Sequence, residues 1–474
     1  MRYISTRDAR AAPLRLSFAE ALLAGLARDG GLYVPESIPE LDAASLRSYV
    51  GSAYPEVAAR ILSMFAGESF APAELHALAT AAYARFRHAA VAPLVQLDEK
   101  LWLLELFHGP TLAFKDLALQ LLGLLFDAVL ARRHERITIV GATSGDTGSA
   151  AIEACRDREA VDVFILYPRG RVSEVQRRQM TTVEAANVHA IAIDGTFDDC
   201  QDLVKGLFAD AEFRGELNLS AVNSINWARI AAQTVYYVTA AVALGVPARP
   251  VSFSVPTGNF GNVYAGHIAR RAGVSIDRLV IGTNRNDILA RYFATGRMSL
   301  GTVRPTLSPS MDIQVSSNFE RLLFELKGRN GAAVGQAMGR FRHTGSLPED
   351  GQAWRRACRL FSAYKVDDTR TMQTIARIYS GSGVLIDPHT AVAVAAAQSE
   401  FAEHDSNIPM IALGCAHPAK FPEAVERATG IRPALPAQLG DLLDRRERII
   451  ALPNELGAVR RYILAHARRV GVAA

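Results

Sequence analysis

Lys115 is the residue whose surroundings in the sequence most favour chemistry. It follows a predicted strand that ends near Phe107 and a loop of sequence HGPT, and it lies in the first turn of a strongly apolar predicted helix. Burial and the positive end of a helix dipole both favour the neutral amine, which is the form of lysine that makes a Schiff base. The chain has only six lysines, so a reaction that needs one has few candidates. The alternative interpretation is a lysine whose amine simply reaches the surface.

The segment GATSGDTGSAA (141–151) is a candidate anion-binding loop. A predicted strand leads through it into a helix, and its hydroxyls are those of Thr143, Ser144, Thr147 and Ser149. Backbone N–H groups at such a helix start bind phosphate or carboxylate. The spacing matches neither G-x-G-x-x-G nor G-x-x-x-x-G-K-[ST], which disfavours a dinucleotide site and a Walker loop. The alternative is an ordinary connection in which one hydroxyl caps the helix.

A second turn of this kind, VPTGNFGNVYAGH (255–267), follows the predicted strand VSFSV. Gly258 and Gly261 permit close approach of the backbone to a ligand, whereas Asn259 and Asn262 tolerate left-handed conformations and donate hydrogen bonds. We expect a phosphate-binding loop here, beside the first loop in one parallel sheet. Gly-Asn turns are common in α/β proteins, so the motif is weak by itself.

Ser224, Asn226 and Arg229 lie between these two loops in the sequence and could converge on an anion. The guanidinium of Arg229 would supply a two-pronged contact to a phosphate or carboxylate. Taken alone, the segment is equally typical of a helix start with an exposed arginine.

Metal binding is not expected. The pairs His389–Thr390 and Cys415–His417 could supply ligands, but no second compatible cluster accompanies them. The four cysteines lie far apart without a Cys-x-x-Cys spacing, so the sequence supports neither a zinc ribbon nor a disulfide framework.

The elements that must position these residues form a repeating pattern of strand and helix. Because each strand is followed by a helical segment, the pattern favours a parallel sheet with helices on both faces, whose ligands bind beyond the carboxyl ends of the strands. The predicted strands are 137–143, 161–168, 188–195, 251–258 and 278–284.

A helical region precedes these units. Ser17 can cap a helix that Gly30 and Gly31 end, and amphipathic helices are predicted between about residues 55 and 88, whereas the stretch from about 300 to 380 is predicted to contain helices and loops. We therefore divide the chain into a mainly helical region (1–92), a smaller α/β domain with Lys115 and the hydroxyl-rich loop (93–245), and a larger α/β domain with the second loop (246–474).

Composition excludes several classes of protein. The 474 residues are 49% hydrophobic and carry a net charge of +4, which fits neither a nucleic-acid binder nor a polybasic membrane binder nor a disordered chain. The sequence shows no signal peptide, and no apolar run approaches the ~20 residues of a membrane span. We expect a cytoplasmic protein, a monomer or a homodimer, without an obligate protein partner.

Together these segments resemble the threonine synthase family, in the branch with a long N-terminal helical region, of the fold-type II pyridoxal-phosphate enzymes (tryptophan synthase β-like). The combination and order of the motifs are far more specific than any one of them. The segments that carry the resemblance are DGGLYVPESIP (29–39), ELFHGPTLAFKD (105–116), GATSGDTGSA (141–150), NSINWARI (223–230), PTGNFGN (256–262), DPHTAV (387–392) and AHPAKFPEAV (416–425).

The resemblance implies roles for individual residues. Lys115 would bind pyridoxal 5'-phosphate covalently and act in catalysis, and Cys415 stands at the position that faces the pyridine nitrogen, where the family usually has threonine. A thiol is a weaker donor than a hydroxyl, which leaves the partner of that nitrogen open. The cofactor phosphate would be held by Gly258, Asn259, Phe260, Gly261 and Asn262. The substrate would be bound by Thr143, Ser144, Asp146 and Thr147 through its carboxylate and by Ser224, Asn226 and Arg229 through its phosphate.

The implied reaction is the conversion of O-phospho-L-homoserine and water into L-threonine and phosphate, the last step of threonine biosynthesis. One alternative is another fold-type II lyase, such as a serine or threonine dehydratase, which needs no second anion site at Ser224 to Arg229. Two further alternatives are a catalytically silent anion-binding protein, disfavoured by the presence of Lys115, and a nucleotide-binding enzyme, disfavoured by the missing fingerprints.

Overall fold

A computed structural model describes residues 1–221 and 223–468. The strands are β1 (Tyr3–Ser5), β2 (Tyr33–Pro35), β3 (Leu94–Gln96), β4 (Leu101–Glu105), β5 (Ile137–Ala142), β6 (Val161–Pro168), β7 (Val188–Ile193), β8 (Leu219–Ser220), β9 (Val251–Pro256), β10 (Ile276–Thr283), β11 (Phe361–Lys365), β12 (Met410–Gly414) and β13 (Ile450–Leu452). The helices are α1 (Phe18–Ala24), α2 (Ala43–Ser48), α3 (Tyr54–Ala66), α4 (Pro72–Tyr83), α5 (Lys115–Arg133), α6 (Asp146–Cys155), α7 (Glu174–Thr181), α8 (Phe197–Ala209), α9 (Ala211–Glu216), α10 (Trp227–Ala243), α11 (Gly261–Arg271), α12 (Ile288–Thr295), α13 (Phe319–Leu326), α14 (Gly331–Thr344), α15 (Gly351–Cys358), α16 (Asp368–Ser382), α17 (Pro388–Glu403), α18 (Pro422–Thr429) and α19 (Leu456–His466).

The N-terminal region contains a small antiparallel sheet of β1 and β2 and the helices α1 to α4. Ser17 caps α1 as predicted, since its hydroxyl accepts a hydrogen bond from the N–H of Glu20 and the Glu20 carboxylate accepts one from the N–H of Ser17. The prediction that this helix continues to Gly30 is wrong. It ends at Ala24 because Gly25 has a φ of 61°, which glycine adopts without steric cost.

The larger sheet has the strand order β11-β10-β9-β12-β4-β3. β3 pairs antiparallel with β4 at one edge, and the other pairs are parallel. β9 and β12 are buried along their whole length, as expected for strands covered on both faces. Side chains of α16 and α17 pack on one face, and those of α10, α11 and α12 pack on the other.

The smaller sheet has the strand order β13-β7-β6-β5-β8, with all pairs parallel. Helices α8 and α19 cover one face, and α6 and α7 cover the other. The expected fold class of parallel sheets flanked by helices, with a mainly helical N-terminal region, is thus confirmed.

The expectation of one sheet for all five strand–helix units is wrong. The units at 137–143, 161–168 and 188–195 contribute to the smaller sheet, and those at 251–258 and 278–284 to the larger one. The sequence pattern marks each strand but does not say which strands pair. β11, within the stretch predicted as helices and loops, was also missed.

The division of the chain at residues 92 and 245 stays a prediction, and its last range extends past the described residues. On each side of residue 245, some strands join the sheet that belongs mainly to the other domain. β3 and β4 precede residue 245 and join the larger sheet, whereas β13 follows it and joins the smaller one.

Helix α5 connects the three parts of the molecule. It packs against α4 of the N-terminal region, α6 beside the smaller sheet and α10 beside the larger sheet. Most of its side chains are buried, which explains why the helix is apolar on nearly all sides. In the part of the chain that the structure describes, no helix is long and apolar enough to cross a membrane.

Candidate active site

Lys115 is the first residue of α5, as the sequence predicts, and is only 6% exposed. The preceding loop is held against β12 because the Phe114 N–H donates to the Cys415 carbonyl at 2.8 Å and Ala113 forms an isolated bridge with Ala416. The Lys115 amine is therefore fixed at the junction of the two sheets. Its Nζ lies 3.2 Å from Oδ2 of Asp146.

Burial lowers the pKa of Lys115, and the positive charges of Arg229 and Lys420 lower it further. The carboxylate of Asp146 opposes this effect without reversing it. At a given pH, a larger fraction of the Lys115 amine is consequently neutral than for a lysine in water. The neutral form suits nucleophilic and proton-transfer chemistry.

Asp146 lies at the centre of a buried ionic cluster. Its Oδ1 is 2.8 Å from Nζ of Lys420 and accepts a hydrogen bond from Nε2 of Gln176 at 2.9 Å, while Oδ2 faces Lys115. Burial alone would raise the pKa of Asp146, but the two lysines bring it well below its usual value. The carboxylate is therefore ionised at neutral pH.

The hydroxyl-rich loop after β5 is organised by Thr143. Its Oγ1 accepts hydrogen bonds from the N–H groups of Gly145 at 3.0 Å and Gly148 at 2.8 Å, which shapes the start of α6. Ser144 and Thr147 lie half-buried on the same loop. Among the residues predicted to contact the substrate carboxylate, Ser144 and Thr147 have the more accessible hydroxyls. The hydroxyl of Thr143 is instead used in hydrogen bonds within the loop.

The second loop joins β9 to α11 and presents the N-terminus of that helix. A Cβ at Gly258 would lie 3.2 Å from Cα of Met311, so a side chain there would press tightly against the neighbouring backbone. The left-handed conformation that Asn259 and Asn262 could tolerate is adopted instead by Phe260, which has a φ of 63°. Its ring packs against Phe319 with centroids 5.4 Å apart, and this packing offsets the cost of the conformation.

Asn262 is buried and connects this loop to Cys415. Its Oδ1 accepts hydrogen bonds from the hydroxyls of Tyr236 at 2.5 Å and Tyr237 at 2.9 Å, which orients its Nδ2 toward Sγ of Cys415 at 4.0 Å. Burial raises the pKa of the Cys415 thiol, so that the group is protonated at neutral pH. Cys415 therefore presents a neutral thiol, whose sulfur accepts the hydrogen bond from Asn262.

Arg229 lies in the first turn of α10 and is 3% exposed. Its Nη1 is buried and has no hydrogen-bond partner among the described residues. Burial lowers its pKa to about 10, which still leaves a cation at neutral pH. Since no described residue forms an ion pair with it, this buried guanidinium is suited to bind an anionic ligand.

Asn226 has a structural role that the sequence did not indicate. Its Oδ1 caps α10 by accepting from the Ala228 N–H at 3.1 Å, and its Nδ2 donates to the Leu22 carbonyl at 2.9 Å. These bonds tie α10 to the N-terminal region and occupy both ends of the amide. Ser224 is half-buried in the turn before it.

The structure thus brings Lys115, Asp146, Arg229 and Cys415 into one electrostatically coupled cluster. Residues that the sequence did not assign to the site, and that lie near this cluster or, for Asn318, near Gly261 of the second loop, are Lys420, Gln176, Tyr236, Tyr237, Ser310 and Asn318. For Lys420, its place in the AHPAKF segment was the available signal. The remaining five occur in segments without a recognisable motif.

His389, considered as a metal ligand, bonds instead to Asp387, with Nδ1 2.7 Å from Oδ2, while its Nε2 accepts from the Ser310 N–H at 3.3 Å. Within residues 1–221 and 223–468 there is no group of three His, Cys, Asp or Glu side chains that could hold a metal ion.

Comparison with known proteins matches three family models along the chain. They are "Threonine synthase N terminus" over residues 2–83, "Pyridoxal-phosphate dependent enzyme" over 86–412 and "Threonine synthase, C-terminal" over 390–463. The threonine synthase of Pseudomonas aeruginosa is 55% identical over 99% of both chains, and that of Saccharomyces cerevisiae is 43% identical over 90% of this chain and 88% of its own. The solved PLP-bound threonine synthase of Brucella melitensis is 52% identical, with a TM-score of 0.94 over 99% of this chain and 100% of its own.

Proposed function

This chain belongs to the threonine synthase family, and from that premise we propose that it converts O-phospho-L-homoserine and water into L-threonine and phosphate with pyridoxal 5'-phosphate as cofactor. The observation that carries the proposal is the buried pair of Lys115 and Arg229. Lys115 supplies an amine of lowered pKa, and Arg229 supplies a guanidinium whose Nη1 has no hydrogen-bond partner within the described residues and could bind a phosphate group.

The residues present fit the cofactor. Lys115 would hold it covalently, and the N–H groups of Gly258 to Asn262 at the start of α11 would bind its phosphate. Gly258, where a Cβ would lie 3.2 Å from Cα of Met311, leaves that part of the loop backbone without a side chain. Cys415 would face the pyridine nitrogen as a neutral thiol, held there by Asn262.

The substrate would be bound at two anionic ends. Ser144 and Thr147, with the N–H groups of the loop that Thr143 organises, would receive the carboxylate. Arg229, with Ser224, would bind the phosphate before and after it leaves the γ-carbon. Contacts of Asp146 and Asn226 with the substrate stay predictions, and the bonds that these side chains already make support positioning roles instead.

When bound, pyridoxal phosphate serves as an electron sink for negative charge that develops on substrate carbons. Lys115 Nζ would take the proton from the α-carbon and return protons later in the reaction, since burial makes its neutral form accessible. Arg229 would stabilise the charge on the departing phosphate. The burial of both side chains would limit the access of bulk water to the reacting groups.

The test is incubation of the purified protein with O-phospho-L-homoserine while released phosphate and threonine are quantified. Equal amounts of both products are expected, and Lys115→Ala should form neither. A serine or threonine dehydratase would instead release ammonia and a 2-oxo acid from serine or threonine, an outcome that would contradict the proposal. The full-length relatives named threonine synthase do not favour that alternative.

A cytoplasmic location, a monomeric or homodimeric state and the absence of an obligate protein partner stay part of the proposal. The four cysteines are free, and Cys155, Cys200 and Cys415 are buried, which is compatible with a reducing compartment. Size-exclusion chromatography with light scattering would determine the oligomeric state.

A further inference from the structure

Lys420 is a buried lysine for which the proposed function has no use. It ends the short 3₁₀ helix Pro418–Lys420 that follows β12, and its side chain is fully buried. Its Nζ lies 2.8 Å from Oδ1 of Asp146 and donates to the Thr111 carbonyl at 2.7 Å. A lysine is rarely buried to this extent unless its charge is paired.

Asp146 offers a separate oxygen to each of two lysines. Oδ1 faces Lys420 and accepts from Gln176, whereas Oδ2 faces Lys115. Because the oxygens differ, Asp146 keeps a counter-ion even when Lys115 is committed to the cofactor. Without Lys420, the buried carboxylate of Asp146 would have much less positive charge beside it once Lys115 is bound to the cofactor. An uncompensated charge of this kind is unfavourable in a low dielectric.

We propose that Lys420 is a positioning residue for the reaction, which holds Asp146 ionised and oriented through Oδ1 so that Oδ2 stays directed at the nitrogen of Lys115. This inference rests on the proposed function, since it assumes that Lys115 carries the cofactor. Lys420 also brings Thr111, and with it the loop before α5, into the same cluster.

The charge of Lys420 has a measurable consequence. The charged or titratable groups that act on Lys115 are Asp146, Arg229, Lys420 and Cys415, and His389 of α17 acts on Asp146. Lys420 is a like charge that lowers the pKa of the Lys115 nitrogen. Asp146 raises the same pKa more strongly than Lys420 lowers it. A variant in which Asp146 is no longer ionised and directed at Lys115 should therefore show a lower pKa of the Lys115 nitrogen.

The experiment records the visible absorption of the cofactor-loaded enzyme from neutral to alkaline pH for the wild type, Lys420→Met and Lys420→Arg. The midpoint of the spectral change should fall in Lys420→Met by about one pH unit, because Asp146 would no longer be held as the counter-ion of the Lys115 nitrogen. A rise would show that Lys420 acts on Lys115 only as a like charge and would overturn the proposal. Lys420→Arg keeps the charge and should stay near the wild type. Lys205→Met is the matched control, because it removes an exposed lysine paired with Asp202 on α8 and should leave the midpoint unchanged.

Lys420→Gln keeps a donor for the Thr111 carbonyl but removes the charge, and it carries the same test if Lys420→Met does not fold. A wild-type midpoint in the Gln variant would overturn the proposal, even if kcat falls, because it would reduce Lys420 to a structural hydrogen bond. Failure of the wild type to release phosphate from O-phospho-L-homoserine would refute the proposed function instead. An unchanged midpoint in an active enzyme refutes only the role of Lys420.

Discussion

Replacement of Arg229 by methionine should stabilise the ligand-free protein and impair the reaction. Burial lowers the pKa of Arg229 from 12.5 to about 10. At about 1.4 kcal/mol per pH unit, holding the charged guanidinium costs the folded state about 3 kcal/mol. Methionine has a similar length without the charge, so it should recover up to this amount.

The expected change in melting temperature follows from the size of the chain. With an unfolding entropy of about 2.1 cal/mol/K per residue over 474 residues, 3 kcal/mol corresponds to a rise of about 3 °C. Loss of two charge-assisted hydrogen bonds to the substrate phosphate should cost about 3 kcal/mol or more, which is a hundredfold or greater fall in kcat/KM. Affinity for the cofactor should change much less.

Scanning calorimetry of the ligand-free protein, a phosphate-release assay and a cofactor titration measure these three effects. Arg321→Met is the matched control, because Arg321 is equally buried and its pKa also falls to about 10. Its guanidinium, however, donates to the carbonyls of Tyr33 at 3.1 Å and Ile225 at 2.6 Å, so its loss should destabilise the protein. If Arg229→Met destabilises the protein as Arg321→Met does, or weakens cofactor and substrate equally, then Arg229 is a structural or cofactor-binding residue and the reasoning fails.

Three further predictions concern other residues. Lys115→Ala should lose the visible absorption of covalently bound cofactor, whereas Lys205→Ala should keep it, and a band that persists in Lys115→Ala would rule out this attachment. Because burial raises its thiol pKa, Cys415 should resist iodoacetamide in the native enzyme at mildly alkaline pH and react after unfolding, as mass spectrometry of the peptide would show. Burial lowers the pKa of His189 from 6.5 to about 4, so the unfolded state binds more protons between these values and stability should fall as the pH drops through this window. Since His189 stacks on Phe164, a phenylalanine at position 189 should keep the packing and reduce this pH dependence of the melting temperature, and an unchanged dependence would contradict the assignment.

Local features of the site could be predicted because they depend on residues close in sequence. Lys115 begins an apolar helix, and Gly261 begins the helix after the second loop, as the strand–turn–helix pattern indicates. Packing decided details that local patterns leave open. Phe260 adopts the left-handed conformation in place of the neighbouring asparagines because its ring is held among other buried aromatic residues.

The sequence by itself determined the strand–helix units, the two glycine-containing loops and the lysine at the start of α5, and these carry the resemblance to the family. Only the tertiary structure decided that the loops belong to two different sheets and that Asp146 lies between Lys115 and Lys420. Helix periodicity and turn chemistry act over a few residues, whereas strand pairing and buried ion pairs join segments far apart in the chain. The partner of each strand or buried charge is selected by which faces of the sheets and helices, and which charges, become buried together. No single segment of the sequence specifies this.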